Sequence, residues 1–560
     1  MSEPFSDRVL NHAEIAYTNV GGGNGKVLAM PDQLIVRSRD VPNVKAFLEA
    51  RRIDQQGVLT NAPASEAMTV QSLGEVFGSP QLNPLAIDDY TVVQVGNLPA
   101  GNVDAIFNVT NYLRASGLFK NHLYDVSPNH ILAPSPLGGA GCPFGPPFPA
   151  PRYEPPPAPA GGGGEHSPVV TVIDAGYQDW WKHQVITKHG DKFGPWGANP
   201  LHAVCDLLQP RLAPYLKGSG QITPEDAISL LDGQHIAPTH LAASNYHWVE
   251  RTHGDVPAAR LKGVLDAMAG HANFVAGVVA QGCDYPTIDI WSHSGLFEAK
   301  ADYSFPNEAS ICHSILMSQA QHTTRLTEHL ADVIQVGFAF PLVKNASFLP
   351  NGITRLAGGV DFLSGLWAGM FQNLWKIYDD RGQWRPMVVA PAGNENSSAE
   401  YFPAALKEYF NKFGPNYASL PQPPHLFDNV IGVASLGQRP SPSFTYEGIP
   451  LTDYHLEPSP FSNHGDWVTC SANGESVHSA FMPLQAMKRE DDESRVPEAV
   501  AFPYPAAIWN GTSFAAPRVS AAIAARAAAS GKSPLDAWNA LLKINPPAPD
   551  SEYGIRFESL

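Results

Sequence analysis

The sequence predicts an α/β fold with a mostly parallel central sheet flanked by helices, preceded by a small α+β domain. Residues 169–173 (VVTVI) are β-branched and apolar, which is typical of a parallel strand buried on both faces. An alanine-rich stretch over 518–526 predicts a buried helix shortly after Gly511-Thr512-Ser513. Before residue 134, strand patterns alternate with amphipathic helix patterns, which favours a separate α+β unit.

Five elements are predicted in the N-terminal part. A strand over 33–37 precedes an amphipathic helix over 44–52, and a second strand over 90–95 precedes a helix over 103–116. An extended stretch over 122–130 completes the pattern. The order strand, helix, strand, helix, strand predicts a small open-faced α+β domain.

Length and composition divide the chain. Its 560 residues suffice for two or three domains, and its 44% hydrophobic content supplies a large core. Proline and glycine concentrate at 134–166, where runs such as 155–157 (PPP) and 161–164 (GGGG) predict a linker. We therefore predict a first domain over 1–133 and a second over 167–560.

Charge and cysteine usage limit the partners and the compartment. The formal net charge of −17 argues against nucleic-acid binding, because nucleic acids attract basic surfaces. No apolar stretch is long enough to cross a membrane, and residues 1–7 lack the basic, apolar pattern of a secretory signal. The five cysteines are scattered without metal-ligand spacing, which suits a reducing compartment. We predict a cytoplasmic protein without nucleic-acid or membrane partners; leaderless secretion, or a leader missing from a truncated chain, is the alternative.

Ser513 is the first candidate catalytic residue. It lies at the start of the predicted alanine-rich helix, where the positive end of the helix dipole favours developing negative charge. Gly511 permits a close backbone approach, and Thr512 or Ser513 can cap the first turn. A capped core helix without catalytic chemistry is the alternative. Residues 511–517 (GTSFAAP) resemble the serine motif of the subtilisin-like serine proteases, the subtilases of peptidase family S8.

A serine nucleophile requires a base and an orienting carboxylate, which subtilases supply in the chain order Asp, His, Ser. Asp174 ends the predicted strand over 169–173, and α/β folds build their sites at the carboxyl ends of such strands. An aspartate that only caps the next turn is the alternative. The order along the chain makes Asp174 the matching carboxylate.

His271 is the candidate base. The small and apolar residues that follow it, 272–280, resemble the helix of the family's histidine motif. Residues 272–274 (ANF) stand where the family usually has Gly, Thr and a second His. Among the 20 histidines, His253 is the competitor, because a glycine follows it; it has no apolar helix behind it. The apolar helix favours His271.

Asn394 is the candidate oxyanion donor. Residues 386–396 (PMVVAPAGNEN) predict a buried strand that breaks at Gly393 and resemble the family's Ala-Gly-Asn segment. In that segment, the Asn amide donates a hydrogen bond to the oxygen of the tetrahedral intermediate. Asn396 is the nearby alternative, and ordinary Gly-Asn turn chemistry is the non-catalytic one. Pro391 is unusual beside the substrate pocket.

Further stretches resemble the family between and beyond these motifs. Residues 332–339 (DVIQVGFA) resemble the strand that pairs with substrate backbone, while 427–435, 460–465 and 553–557 resemble later core strands and turns. The resemblance therefore covers about 167–560. It implies substrate contacts at Val336, Gly337, Phe338, Ala339, Ala392 and Gly393.

The resemblance implies a serine endopeptidase on a subtilisin-like domain. Ser513 would attack the scissile carbonyl, His271 would carry the proton, and Asp174 would orient the imidazole. Asn394 and the Ser513 backbone amide would hold the oxyanion. A protein or peptide is the expected substrate, and no cofactor or metal is expected. Calcium often stabilises relatives, but the sequence assigns it no site.

The first domain resembles the subtilase propeptide, a folding aid whose tail occupies the active-site cleft. The pattern of elements and Ser127-Pro128-Asn129 carry this resemblance. It implies a zymogen in which the chain's own N-terminal domain is an intramolecular inhibitor; an unrelated interaction domain is the alternative.

The spacing from Asp174 to His271 exceeds what the family core needs, so an insertion is predicted at about 180–255. This insertion restricts substrates, binds a partner or only covers the sheet.

Two other classes compete with the peptidase hypothesis. The altered residues 272–274 leave open a catalytically silent binding or regulatory protein on the same fold. A sedolisin-like acid peptidase shares the Gly-Thr-Ser sequence but uses Glu as base and Asp at the oxyanion position. His271 and Asn394 occupy those places here, which argues against the acid peptidase.

Overall fold

The computed structural model describes most of two domains. The described residues are 16–19, 26–72, 89–99, 102, 104–119, 123–132, 148–149, 168–174, 264–265, 270–283, 287–292, 307–322, 330–341, 363–413, 425–440, 444–446, 449–451, 454–481, 484–489, 500–502, 506–545 and 551–557. The predicted insertion over 180–255, His253 and the predicted linker over 134–166, apart from 148–149, lie outside the described residues.

The first domain is an antiparallel sheet with helices. Its strands are β1 (Ala16–Asn19), β2 (Lys26–Arg37), β3 (Arg51–Ile53), β4 (Leu59–Asn61), β5 (Thr69–Ser72), β6 (Tyr90–Gly96) and β7 (Val126–His130). Its helices are α1 (Val41–Leu48) and α2 (Ala105–Ala115), with 3₁₀ turns at Ser38–Asp40 and Leu123–Asp125. Among the described strands, five form one sheet in the order β1-β2-β6-β5, with β7 also paired to β2.

The small α+β domain agrees with the predicted fold class, but β1, β3, β4 and β5 are not among the predicted elements. The helix predicted over 44–52 ends at Leu48, and Arg51–Ile53 instead pairs with Leu59–Asn61 as an antiparallel hairpin. Amphipathic periodicity alone does not show this end, because the pairing partner lies further along the chain.

The second domain supplies the remaining elements. Its strands are β8 (Phe148–Pro149), β9 (Val169–Asp174), β10 (Val264–Leu265), β11 (Thr287–Ser292), β12 (Val333–Val336), β13 (Phe340–Pro341), β14 (Met387–Pro391), β15 (Tyr401–Phe402), β16 (Val430–Pro440), β17 (Phe444–Tyr446), β18 (Ile449–Leu451), β19 (Tyr454–Pro458), β20 (Cys470–Asn473), β21 (Val477–Ala480), β22 (Leu484–Arg489), β23 (Val500–Phe502), β24 (Ala506–Trp509) and β25 (Ile555–Phe557). Its helices are α3 (His271–Gly282), α4 (Glu308–His322), α5 (Leu366–Asp379), α6 (Leu406–Phe413), α7 (Thr512–Ser530) and α8 (Pro534–Ile544).

The central sheet confirms the predicted fold class. Its described strands run in the order β11-β9-β12-β14-β16-β20-β25, and each pair in this order is parallel. β19 is antiparallel to β16. The chain passes from β9 to β11 on one side and then to β12 on the other, so the strand order reverses between β9 and β12. Open α/β sheets bind ligands at the carboxyl ends of strands beside such a reversal.

Both faces of the sheet are buried, which explains the apolar run in β9. Successive side chains point to opposite faces, so Val170 and Val172 join the core beneath α3 and α7. Val169 and Ile173 join the core on the other face, with side chains of α4 and α5. The second core also includes Ile35, Tyr90, Val92 and Leu132 of the first domain, so the two domains share buried apolar surface.

Candidate active site

Asp174 and His271 meet at the carboxyl end of β9. Nδ1 of His271 lies 2.7 Å from Oδ1 of Asp174, and both side chains are fully buried. His271 is the first residue of α3, and Gly270 before it has a φ of +76°, a conformation that favours glycine. A Cβ at Gly270 would also lie 2.6 Å from the ring of Phe481. The glycine therefore lets the chain turn into α3 with the imidazole facing Asp174.

The contact with Asp174 defines the histidine tautomer. A carboxylate only accepts hydrogen bonds, so Nδ1 of His271 carries a proton and Nε2 of the neutral ring is left as the basic nitrogen. Nε2 is buried, and within the described part of the chain it has no hydrogen-bond partner. The ring centroid of Phe514 lies 5.4 Å away and that of Trp509 5.9 Å. These aromatic rings thus pack against the imidazole.

Ser513 lies in the first turn of α7, next to these rings. It is fully buried and immediately precedes Phe514, whose ring contacts His271. Phe274 stands where the resembled motif has its second His. Its ring packs against that of Phe514, with the two ring centroids 4.4 Å apart. Helices α3 and α7 thus pack through their first turns, and the structure brings Asp174, His271 and the Ser513 turn together.

Asn394 is held against the start of α7 by Thr512. Oδ1 of Asn394 accepts hydrogen bonds from the backbone N–H and the hydroxyl of Thr512, both at 2.9 Å. The Thr512 hydroxyl also accepts from the N–H of Gly393 at 3.1 Å. Because a backbone N–H can only donate, the amide oxygen must face Thr512 and the Nδ2 group points away from it.

These contacts bear on two details of the sequence interpretation. The expected side-chain cap by Thr512 or Ser513 is wrong: Gly511 is the N-cap of α7 without a side-chain cap bond, and the Thr512 hydroxyl binds the Asn394 turn instead. Asn396, the alternative donor, is exposed, and its backbone N–H bonds to Phe461. Sequence reasoning missed the role of Thr512, although its place beside Ser513 was a signal.

The predicted substrate strand lies next to Asp174. Val336 ends β12 and pairs with Ile173, and the Gly337 N–H donates to the Ile173 carbonyl at 2.8 Å. A Cβ at Gly337 would lie 2.5 Å from Cγ of Asp174, so only glycine fits there without movement of the carboxylate. Phe338, Ala339, Ala392 and Gly393 are buried in the same region.

A metal site and a membrane-spanning helix are the other two features to consider, within the described residues alone. There, no group of three or more His, Cys, Asp or Glu side chains is arranged to hold a metal ion. No helix of that part is both long and apolar enough to cross a membrane.

Comparison with known proteins identifies the family of this chain. The model of the Subtilase family matches residues 165–543. The chain therefore belongs to the subtilase family. A search of curated proteins found no significant match.

Three solved structures are similar to the chain at low sequence identity. Fervidolysin from Fervidobacterium pennivorans, described as a keratinolytic enzyme related to subtilisin, is 12% identical with a TM-score of 0.42, covering 97% of this chain and 62% of that chain. A lanthipeptide protease is 15% identical with a TM-score of 0.32, covering 55% and 79%. A subtilase cytotoxin SubAB structure is 15% identical with a TM-score of 0.30, covering 52% and 74%.

Proposed function

We propose that this subtilase is an active serine endopeptidase with Ser513 as nucleophile and His271 as general base. The observation that carries the proposal is the buried 2.7 Å contact between His271 and Asp174, at the first turn of a helix packed on the Ser513 helix. A serine hydroxyl is a weak nucleophile unless a neighbouring base removes its proton. The described tautomer leaves Nε2 of His271 for that task.

The proposed reaction uses the same residues in acylation and in deacylation. Ser513 Oγ attacks the carbonyl carbon while Nε2 of His271 takes its proton, and Asp174 stabilises the imidazolium. The amide of Asn394 and the Ser513 N–H donate to the oxyanion, and His271 then protonates the leaving amine. Water, deprotonated by the same imidazole, hydrolyses the acyl-enzyme. Substrate backbone binds along 336–339 as an added strand.

A fluorophosphonate probe and a peptide substrate test this proposal. The wild-type chain is expected to react with the probe at Ser513 and to hydrolyse peptides, and Ser513→Ala to do neither. Ser520→Ala is the matched control, because Ser520 is another buried serine of α7 and its hydroxyl bonds to Gln335. A folded wild-type chain that neither reacts nor hydrolyses would instead support the catalytically silent alternative.

We also infer that the first domain inhibits the second in the uncut chain. Polar contacts between the domains support the inference: Nδ2 of Asn129 bonds to Asn307 at 3.1 Å, and Nδ1 of His130 lies 2.7 Å from Oε2 of Glu308, with both histidine and glutamate buried. Ile131 continues this contact by an antiparallel bridge to Asn307. Residues 129–131, at the end of the first domain, are thus bound to the second domain just before the predicted linker begins.

Self-cleavage and interface variants test the inhibition. The wild-type chain is expected to cut itself between about 131 and 166, where the predicted linker is rich in Pro and Gly, and Ser513→Ala to stay full length. Replacing both Asn129 and His130 by Ala should speed labelling of the uncut chain by the probe. Arg52→Ala, which removes an exposed ion pair within the first domain, is the control. An intact wild-type chain with full activity, unchanged by the double variant, contradicts inhibition.

A further inference from the structure

A buried asparagine lies behind the turn that carries Asn394. Asn463 belongs to the turn between β19 and β20, and its side chain is fully buried. Its Nδ2 group donates to the Ala392 carbonyl and to Oε2 of Glu395, both at 2.9 Å. Its Oδ1 accepts from the N–H groups of Glu395 and Ser397, both at 3.0 Å. A side-chain amide has two N–H donors and two acceptor lone pairs, so these four bonds use its full capacity.

The backbone and a carboxylate complete the contact. The Asn463 N–H donates to the Gly393 carbonyl at 3.0 Å. Oε2 of Glu395 accepts the Asn394 N–H at 2.9 Å, in addition to the Asn463 amide. Tyr401 hydrogen-bonds to Glu395, and burial, followed by the charge of Glu395, raises the pKa of Tyr401. The phenol therefore stays protonated as a donor to the carboxylate.

These bonds hold a turn that the backbone does not adopt easily. Gly393 has a φ of +102°, and a Cβ there would lie 2.9 Å from Oε2 of Glu395. The four side-chain bonds of Asn463 end on residues 392–397, on either side of Asn394. Thr512 holds the amide oxygen of Asn394 from the opposite side. The donor is thus fixed by two separate anchors, one on its side chain and one on its backbone.

We propose that Asn463, together with Glu395, is a positioning residue for the oxyanion donor Asn394. The proposal rests on the proposed peptidase function and assigns a role to a turn that the sequence suggested only as part of the core. A donor contributes to catalysis only if it is held where the oxyanion forms, and a displacement of about 1 Å can cost about 10²-fold in rate. Asn463 acts through the backbone of 392–397 and does not touch substrate.

Asn463→Asp is the decisive variant. It keeps an acceptor for the two N–H groups but puts a second carboxylate beside Glu395 and the Ala392 carbonyl. We expect kcat to fall by about 100-fold with KM nearly unchanged, since the displaced donor acts in the transition state. Adding Glu395→Gln restores a donor between the two side chains and should recover kcat by about tenfold.

Ser462→Ala is the matched control. Ser462 is equally buried in the same turn, but its hydroxyl accepts from the Ser435 N–H of β16 at 2.9 Å and donates to the Asn463 backbone carbonyl at 3.1 Å, both away from the side-chain amide of Asn463. Its kcat should stay within about twofold of wild type while stability falls. If Asn463→Asp does not fold, Glu395→Gln alone, which preserves side-chain shape, is measured in the same way.

The Asn394→Ala background separates a positioning role from a structural one. With the donor absent, Asn463→Asp and Glu395→Gln should lower kcat no further, because residues that act through one group are not additive. An equal further loss in that background, or a kcat for Asn463→Asp that matches the Ser462→Ala control, overturns the positioning role in an active enzyme. A wild-type chain that is folded, unreactive to the probe and inactive overturns the proposed function, and the positioning role with it.

Discussion

Gly337→Ala tests whether the geometry around Asp174 supports catalysis. The new Cβ would lie 2.5 Å from Cγ of Asp174, whereas ordinary van der Waals contact begins at 3.4 Å. The Asp174 Oδ2 atom would lie closer still, so the carboxylate and the Gly337 backbone must move apart by about 1 Å. Gly337 is held by its N–H bond to Ile173, and the buried carboxylate lies at the end of β9 between β11 and β12. We expect the Asp174 side chain to shift and its contact with His271 to lengthen.

The size of the effect follows from this displacement. Misplacement of a catalytic group by about 1 Å costs about 10²-fold, which corresponds to about 2.7 kcal/mol in the activation free energy. We expect the loss in kcat, because the proposed role of Asp174 is to stabilise the imidazolium that forms in the transition state. The backbone that would pair with substrate keeps its N–H and carbonyl groups, so KM should change little.

Steady-state kinetics with a peptide substrate measure this prediction. Gly432→Ala in β16 is the control, since its Cβ would lie 3.0 Å from the Ala404 carbonyl and crowd the same sheet away from Asp174. The control should lose stability and keep kcat. A folded Gly337→Ala enzyme with wild-type kcat would refute the reasoning. A rise in KM alone would also refute it, because it would show that the new methyl group disturbs substrate binding and not Asp174.

Other variants test the remaining contacts. His271→Ala should lose as much activity as removal of the nucleophile, and His253→Ala should be milder; the reverse ranking in peptide hydrolysis would assign the base to His253. Thr512→Val removes the hydroxyl bonds to Gly393 and Asn394, worth about 1 kcal/mol each, so kcat should fall at least about tenfold while an unchanged kcat contradicts the anchor. Ser533→Ala, which loses the N-cap bond of α8, should lower the free energy of unfolding by about 1 kcal/mol in the inactive serine variant, measured by denaturant titration.

Local sequence patterns determined the fold class and the candidate residues. The β-branched run before Asp174 became a strand buried on both faces, and the alanine-rich stretch became α7, because side-chain periodicity directly reflects which faces are covered. The chain order of the motifs indicated the subtilase family, which the family match confirms. The helix predicted over 44–52 shows the limit, since its end depends on a strand that follows it.

Only the tertiary structure decided which side chains meet. Spacing along the chain does not indicate that His271 faces Asp174. Nor does it indicate that Thr512 binds the Asn394 amide, or that Asn463 binds the turn around Asn394. These partners are far apart in sequence and become neighbours because parallel strands in a reordered sheet bring distant turns to one edge. The sequence thus determined the chemical groups available, whereas the strand order determined their distances and hydrogen bonds.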